Sequence, residues 1–161
     1  VNIFEIAKQI EKNGEKFYRE LATKTTDTGL KSILTSLAED ETKHYIAFVN
    51  MEQNNDFELI DTNILKDAKA VFQNMKEQAE LLSEETPQEE VYLVALENEH
   101  KSIKTYSELL KKISLDNQKE VIKKIIEEEK KHAFLIENII EFIKKPMFWI
   151  ENAEFNHLDQ Y

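Results

Sequence analysis

The sequence predicts an all-α fold: an antiparallel four-helix bundle with one long crossover between its second and third helices and a C-terminal tail docked against it. Three observations carry this expectation. Only two glycines and two prolines occur in 161 residues, and the chain is rich in Glu, Lys, Leu and Ile, which favour helix. The stretch LAEDETKH, residues 37–44, returns as IIEEEKKH, residues 125–132. The same offset of 88 residues carries Ala7, Glu11, Tyr18 and Leu21 onto Ala95, Glu99, Tyr106 and Leu109, with 12 identities in 40 ungapped positions from residue 7 to residue 46. The chain is therefore a duplicated two-helix unit. Finally, apolar residues recur at helical spacing through each copy.

The first helix is expected from about residue 2 to 25, with Ile3, Ile6, Ala7, Ile10, Tyr18 and Leu21 inward and Glu11 within that stripe. A short break at Thr28 and Gly29 follows, with Thr28 as N-cap of the second helix. That helix runs to about residue 54, with Leu30, Leu34, Leu37, Tyr45 and Phe48 on the face of Glu41 and His44. So short a connection makes the two helices antiparallel neighbours. The crossover occupies residues 55–85: NNDFELIDTN reads as a loop, and Ile64 to Leu82 as one or two short helices. Thr86-Pro87-Gln88-Glu89 combines capping-box spacing with proline at the first helical position. The third helix then extends to about residue 113 with Val91, Ala95, Glu99, Ile103, Tyr106 and Leu110 inward. Asp116 caps the fourth, which ends near residue 144 before Pro146. Residues 1–145 thus form one bundle domain. Residues 146–161 form a tail whose Met147, Phe148, Trp149, Ile150 and Phe155 are too apolar for a solvated end and suit docking on the bundle or on a second subunit.

Charge and composition restrict function. A net charge of −11 argues against a nucleic-acid partner and favours cations. The absence of cysteine excludes disulfides and thiolate metal sites from these residues. No apolar run approaches 18 residues and the start is not signal-like, so the expectation is a cytoplasmic protein without a membrane span.

Glu41 with His44, and Glu129 with His132, stand three residues apart, which places carboxylate and imidazole one turn apart on one helix face. All four histidines have Glu three positions earlier, including Glu97 with His100 and Glu154 with His157. The helix face separates them. Glu97 lies about 200 degrees around the helix from Glu99 and reads, with His100, as solvated charge; Glu154 and His157 belong to the docking tail, where an extra metal site is the alternative. Glu41, His44, Glu129 and His132 sit among apolar residues and obey the repeat.

The bundle therefore brings Glu11, Glu99, Glu41, Glu129, His44 and His132 together, the ligand set of ferritin-like di-iron carboxylate proteins. Four buried carboxylates repel each other and lose hydration, at several kcal/mol per ion. Two divalent cations cancel those charges, and mixed carboxylate and imidazole ligands suit iron, or manganese. Gly14, a turn beyond Glu11, costs a helix about 1 kcal/mol relative to Ala. It reads either as room for a small oxidant beside the metals or as close helix packing. Tyr18 and Tyr106, each seven residues past a ligand Glu, are either hydrogen-bond donors to the carboxylates or plain core.

EKNGEKFYREL, LAEDETKH, ENEHKSIKTYSELL and EEEKKH together resemble the rubrerythrin family, over about 145 residues. The resemblance implies a non-haem di-iron site with Glu41 and Glu129 bridging, Glu11 and Glu99 terminal, and one histidine per iron. It implies reduction of hydrogen peroxide, or of oxygen, and assembly as a homodimer. The chain departs from full-length rubrerythrins in lacking cysteine, so the expectation is a short form without the rubredoxin domain, with electrons from an external donor such as a rubredoxin or a small reductant. The extra Glu that rubrerythrins proper carry on the third helix has no counterpart: the inward neighbours of Glu99 are Ala95, Leu96, Ser102 and Ile103. An iron-storage or iron-handling protein without rapid turnover is the alternative function. A purely structural bundle leaves the buried ligand set unexplained.

Overall fold

A computed structural model describes residues 2–78 and 89–144, apart from the side chains of Lys76 and Gln78. Five helices follow one another: α1 (Ile3–Thr23), α2 (Thr28–Glu52), α3 (Ile64–Gln78), α4 (Glu89–Leu110) and α5 (Asp116–Lys144). The closest packing is within the hairpins α1/α2 and α4/α5, and α3 lies across α2 and α5. This is the expected bundle, with the crossover carrying one helix. No described helix is long and apolar enough to cross a membrane. The start signal at Thr86 to Gln88, the end of the crossover and the tail, with Glu154 and His157, lie outside the described residues.

The helix starts correct two caps. Asp27, not Thr28, caps α2: its backbone is extended and its carboxylate accepts the Leu30 N–H at 2.9 Å. An ionised acceptor complements the positive end of the helix better than a hydroxyl. Asp116 is likewise the first helical residue of α5 and not its cap, and the Leu115 carbonyl accepts the Lys119 N–H at 3.0 Å. Asn2 caps α1 through the Phe4 N–H. After α2, Asn54 takes φ 55°, a left-handed turn that Asn tolerates, and the loop begins there.

The inward face of α4 is also rotated from expectation. Tyr92, Ala95, Glu99, Ser102, Tyr106 and Leu109 are buried, whereas Val91, Ile103 and Leu110 sit half-buried at its flank. Alternating steps of three and four track one face of a helix, while repeated steps of four drift off it. Ile6 is 43% exposed and Tyr45 only half-buried, so both leave the expected core.

The apolar core is in two parts. One gathers Leu21, Leu30, Leu34, Leu37, Phe72, Tyr92, Leu135, Ile139 and Phe142, and Phe72 and Phe142 meet at 5.3 Å between ring centroids. The other gathers Ala7, Phe48, Met51, Leu59, Tyr106, Leu109, Ile122 and Ile125. The layer of Glu11, Glu41, His44, Glu99, Glu129 and His132 lies between these two groups along the helices.

Candidate metal centre

α1 contributes Glu11, α2 Glu41 and His44, α4 Glu99, and α5 Glu129 and His132, all buried. Their ligand atoms form two groups. In each, one atom from every residue lies within 4.8 Å of the others: Glu11, Glu41, His44 and Glu129 in the first, and Glu41, Glu99, Glu129 and His132 in the second. Glu41 and Glu129 belong to both. The two imidazole rings lie nearly parallel, 6.0 Å apart. Glu97 and His100, read as solvated, are exposed, and Glu97 pairs with Lys101 at 3.2 Å.

Each histidine turns Nδ1 into the site and Nε2 away from it. His44 Nε2 meets Glu128 Oε1 at 2.7 Å, and His132 Nε2 meets Asp40 Oδ2 at 2.9 Å. A carboxylate on Nε2 selects the tautomer that leaves the Nδ1 lone pair free for an ion. His44 Nδ1 lies 2.9 Å from Glu11 Oε1 and from Glu129 Oε1, while His132 Nδ1 lies 3.5 Å from both Glu41 and Glu99. Three buried atoms facing this space, His132 Nδ1, Glu99 Oε2 and Glu129 Oε1, have no hydrogen-bond partner among the described residues. The 2.9 Å approach of Glu129 Oε1 to His44 is an ion-pair distance without hydrogen-bond geometry. Orphaned oxygen and nitrogen donors converging on one volume fit divalent metal.

The electrostatics show how the layer stands without metal. Burial, then the charges of Glu11 and Glu99, push Glu41 well above the usual carboxylate range; burial, then Glu41 and Glu99, do the same to Glu129. Glu11 is raised by burial and by Glu129, tempered by His44. Burial also acts upward on Glu99, but His132, with a hydrogen bond from Tyr18, outweighs it and holds the carboxyl at about 2. Burial disfavours the charged imidazoles, yet Glu11 beside His44 and Glu99 beside His132 raise both well above the ordinary value. Protons thus occupy the place that metal charge would take.

Tyr18 donates to Glu99 Oε1 at 2.5 Å, and Tyr106 to Glu11 Oε2 at 3.0 Å. Burial first, then these carboxylates, push both phenols far up, so each keeps its proton and donates. Of the two readings left open by the sequence, hydrogen bonding to the carboxylates is the one the geometry shows. Gly14 stands both at a close helix approach and beside open volume. A Cβ there would stand 3.1 Å from Glu41 Cδ and Oε2, so the helices approach closely, and Gly14 also lines a cavity of about 360 Å³. That cavity reaches Glu41, Glu99 and Tyr18 between α1 and α4, walled by Ile10, Phe17 and Ala95.

Asp40 and Glu128 were not expected in the site. They stand 88 residues apart, as repeat partners do, and each precedes a site Glu. The repeat was the available signal; the acidic runs around them hid it, since Glu39 and Glu127 are exposed.

The rubrerythrin family model matches residues 2–140. The chain belongs to the rubrerythrin family. No curated protein and no solved structure is a significant match. Rubrerythrins are di-iron carboxylate proteins, and the buried carboxylate and histidine layer of this member fits metal binding.

Proposed function

We propose that this rubrerythrin holds two iron ions, or manganese in their place, and reduces hydrogen peroxide with electrons from an external donor. The observation that carries the reading is the pair of ligand groups sharing Glu41 and Glu129. Glu41 and Glu129, common to both groups, would each help hold both ions, Glu11 and His44 would complete one position, and Glu99 and His132 the other. The metals supply two electrons and positive charge. The chain supplies the rest: the six ligands fix the ions, Tyr18 and Tyr106 orient Glu99 and Glu11 by donating to them, and the cavity beside Gly14 admits the oxidant. Hydrogen peroxide then gains two electrons and two protons and leaves as two waters. These residues hold no cysteine, so re-reduction draws on a centre outside them, such as a rubredoxin, or on a small reductant. Assembly as a homodimer is part of the same reading.

Anaerobic loading with ferrous ion, followed by peroxide or oxygen in separate experiments, tests it. About two ions per chain and faster oxidation by peroxide support it. One ion or fewer removes the two-metal site. The second reading, an iron-storage or handling protein, draws on the lack of a further Glu beside Glu99 on α4, where Ala95 and Ser102 line the cavity; oxidation by oxygen as fast as by peroxide favours it.

A further inference from the structure

Among the described residues, the crossover loop meets Asp40 and Glu128 through Thr62. Thr62 Oγ1 donates to Asp40 Oδ2 at 2.5 Å, and the Thr62 backbone N–H donates to Glu128 Oε2 at 3.2 Å. The hydroxyl is directed, because its oxygen accepts the Ile64 N–H at 3.1 Å at the start of α3. The remaining proton then points at Asp40. Asp40 and Glu128 are the carboxylates on the outward nitrogens of His132 and His44. Two chains of hydrogen bonds therefore diverge from one residue, one through its side chain and one through its backbone, and each ends on a different histidine. Asp40 has little else to hold it, since Lys43 Nζ stands 4.0 Å away and is half exposed. The duplicated units contain no equivalent of Thr62, which lies in the spacer between them.

We infer that Thr62 is a positioning residue for both metal-binding histidines, acting on His132 through its hydroxyl and Asp40, and on His44 through its N–H and Glu128. The inference rests on the two-metal reading above. An imidazole whose outward N–H is held by an oriented carboxylate keeps its ring plane and its basicity toward the ion, and losing such a support lowers metal affinity about 10- to 100-fold.

The two routes separate by substitution. Thr62→Val keeps the shape and the backbone N–H but removes the hydroxyl; Thr62→Ser keeps both. In the full chain, titration with cobalt(II) follows the affinities of the two ions. Paramagnetic proton NMR of the loaded protein follows the exchangeable Nε2–H signals of the two histidines. Wild type binds two ions and shows two such signals. Thr62→Val is expected to weaken one ion about 10-fold and to broaden or lose the His132 signal, leaving the other ion and the His44 signal unchanged. Thr62→Ser restores both. Melting of metal-free protein reads separately the lost support at the start of α3, which packs on both α2 and α5 and so acts on the two ions alike. Equal weakening of both ions, or two wild-type affinities in Thr62→Val, overturns the inference while wild-type stoichiometry leaves the two-metal reading standing. A wild type that takes up no second ion overturns both.

Discussion

The metal layer has two unlike sides. Between α1 and α4, where Gly14 and Ser102 are among the lining residues, a cavity runs inward to Glu41 and Glu99. Between α2 and α5 the crossover closes the layer: Asp40 and Glu128 bond to the histidines, and both accept hydrogen bonds from Thr62. Glu41 and Glu99 thus face open volume, while Asp40 and Glu128 fix the histidines from the other side. On the proposed reading the difference teaches that access and support fall to opposite faces, so that a reactant would enter without loosening the groups that set the geometry.

The largest effect is expected where both sides meet. Glu129→Gln removes a residue common to both ligand groups. Bound iron, measured after anaerobic loading and desalting, should fall from about two ions per chain to fewer than one, with the metal-free fold retained. Retention of both ions would detach Glu129 from the site.

Next in size is pH. In the metal-free chain Glu41 and Glu129 are raised above their ordinary 4.5, and His44 and His132 above 6.5. The folded state therefore binds more protons than the unfolded one above those values. This stabilisation is complete below them and is lost as pH rises through the folded values. Glu99, at about 2, and Asp40, also lowered, act in the opposite sense, and their contribution disappears only well below pH 4. Between pH 5.5 and 8 the melting temperature of metal-free protein should fall with rising pH. That of loaded protein should rise, because protons and metal compete for the same atoms. Parallel curves would mean that the carboxylates do not act as one cluster.

The open side is tested by Gly14→Ala. The added methyl presses on Glu41 and narrows the cavity. Stopped-flow oxidation of the ferrous protein by peroxide should slow about tenfold, while metal-free stability shifts by no more than about 1 kcal/mol. Unchanged oxidation would place the entry route elsewhere. The phenols are tested through stability. Tyr18→Phe and Tyr106→Phe each remove one hydrogen bond to a carboxylate, about 1.5–3 kcal/mol where the acceptor is charged. Tyr18, with the shorter bond, should lose more stability in chemical denaturation of the loaded protein.

The bundle and its six central residues were legible because the duplication tests itself: a face or a ligand assigned in one copy must recur in the other. Tyr18 and Tyr106 were found the same way, although their bonding was not, since each reaches a carboxylate of the opposite copy and a repeat reveals equivalence but not pairing. Thr62 left no trace in the sequence. It belongs to no repeat and to no helix, and its importance arises only when the loop is laid across α2 and α5. Thr28 as a cap and Val91 as core failed for a local reason: single-residue rotations and boundaries depend on packing that periodicity does not resolve.

The division of the apolar core into two parts changes where the molecule should open. A helical bundle ordinarily protects its middle best and frays from its ends. Here the middle holds the charge, and the apolar contacts that resist opening lie to either side of it. Metal-free protein should accordingly exchange amide hydrogens in the turns around Glu41 and Glu129 sooner than in those around Leu34 and Ile139, and ion binding should convert the midpoint of each helix from its softest place into its slowest to exchange.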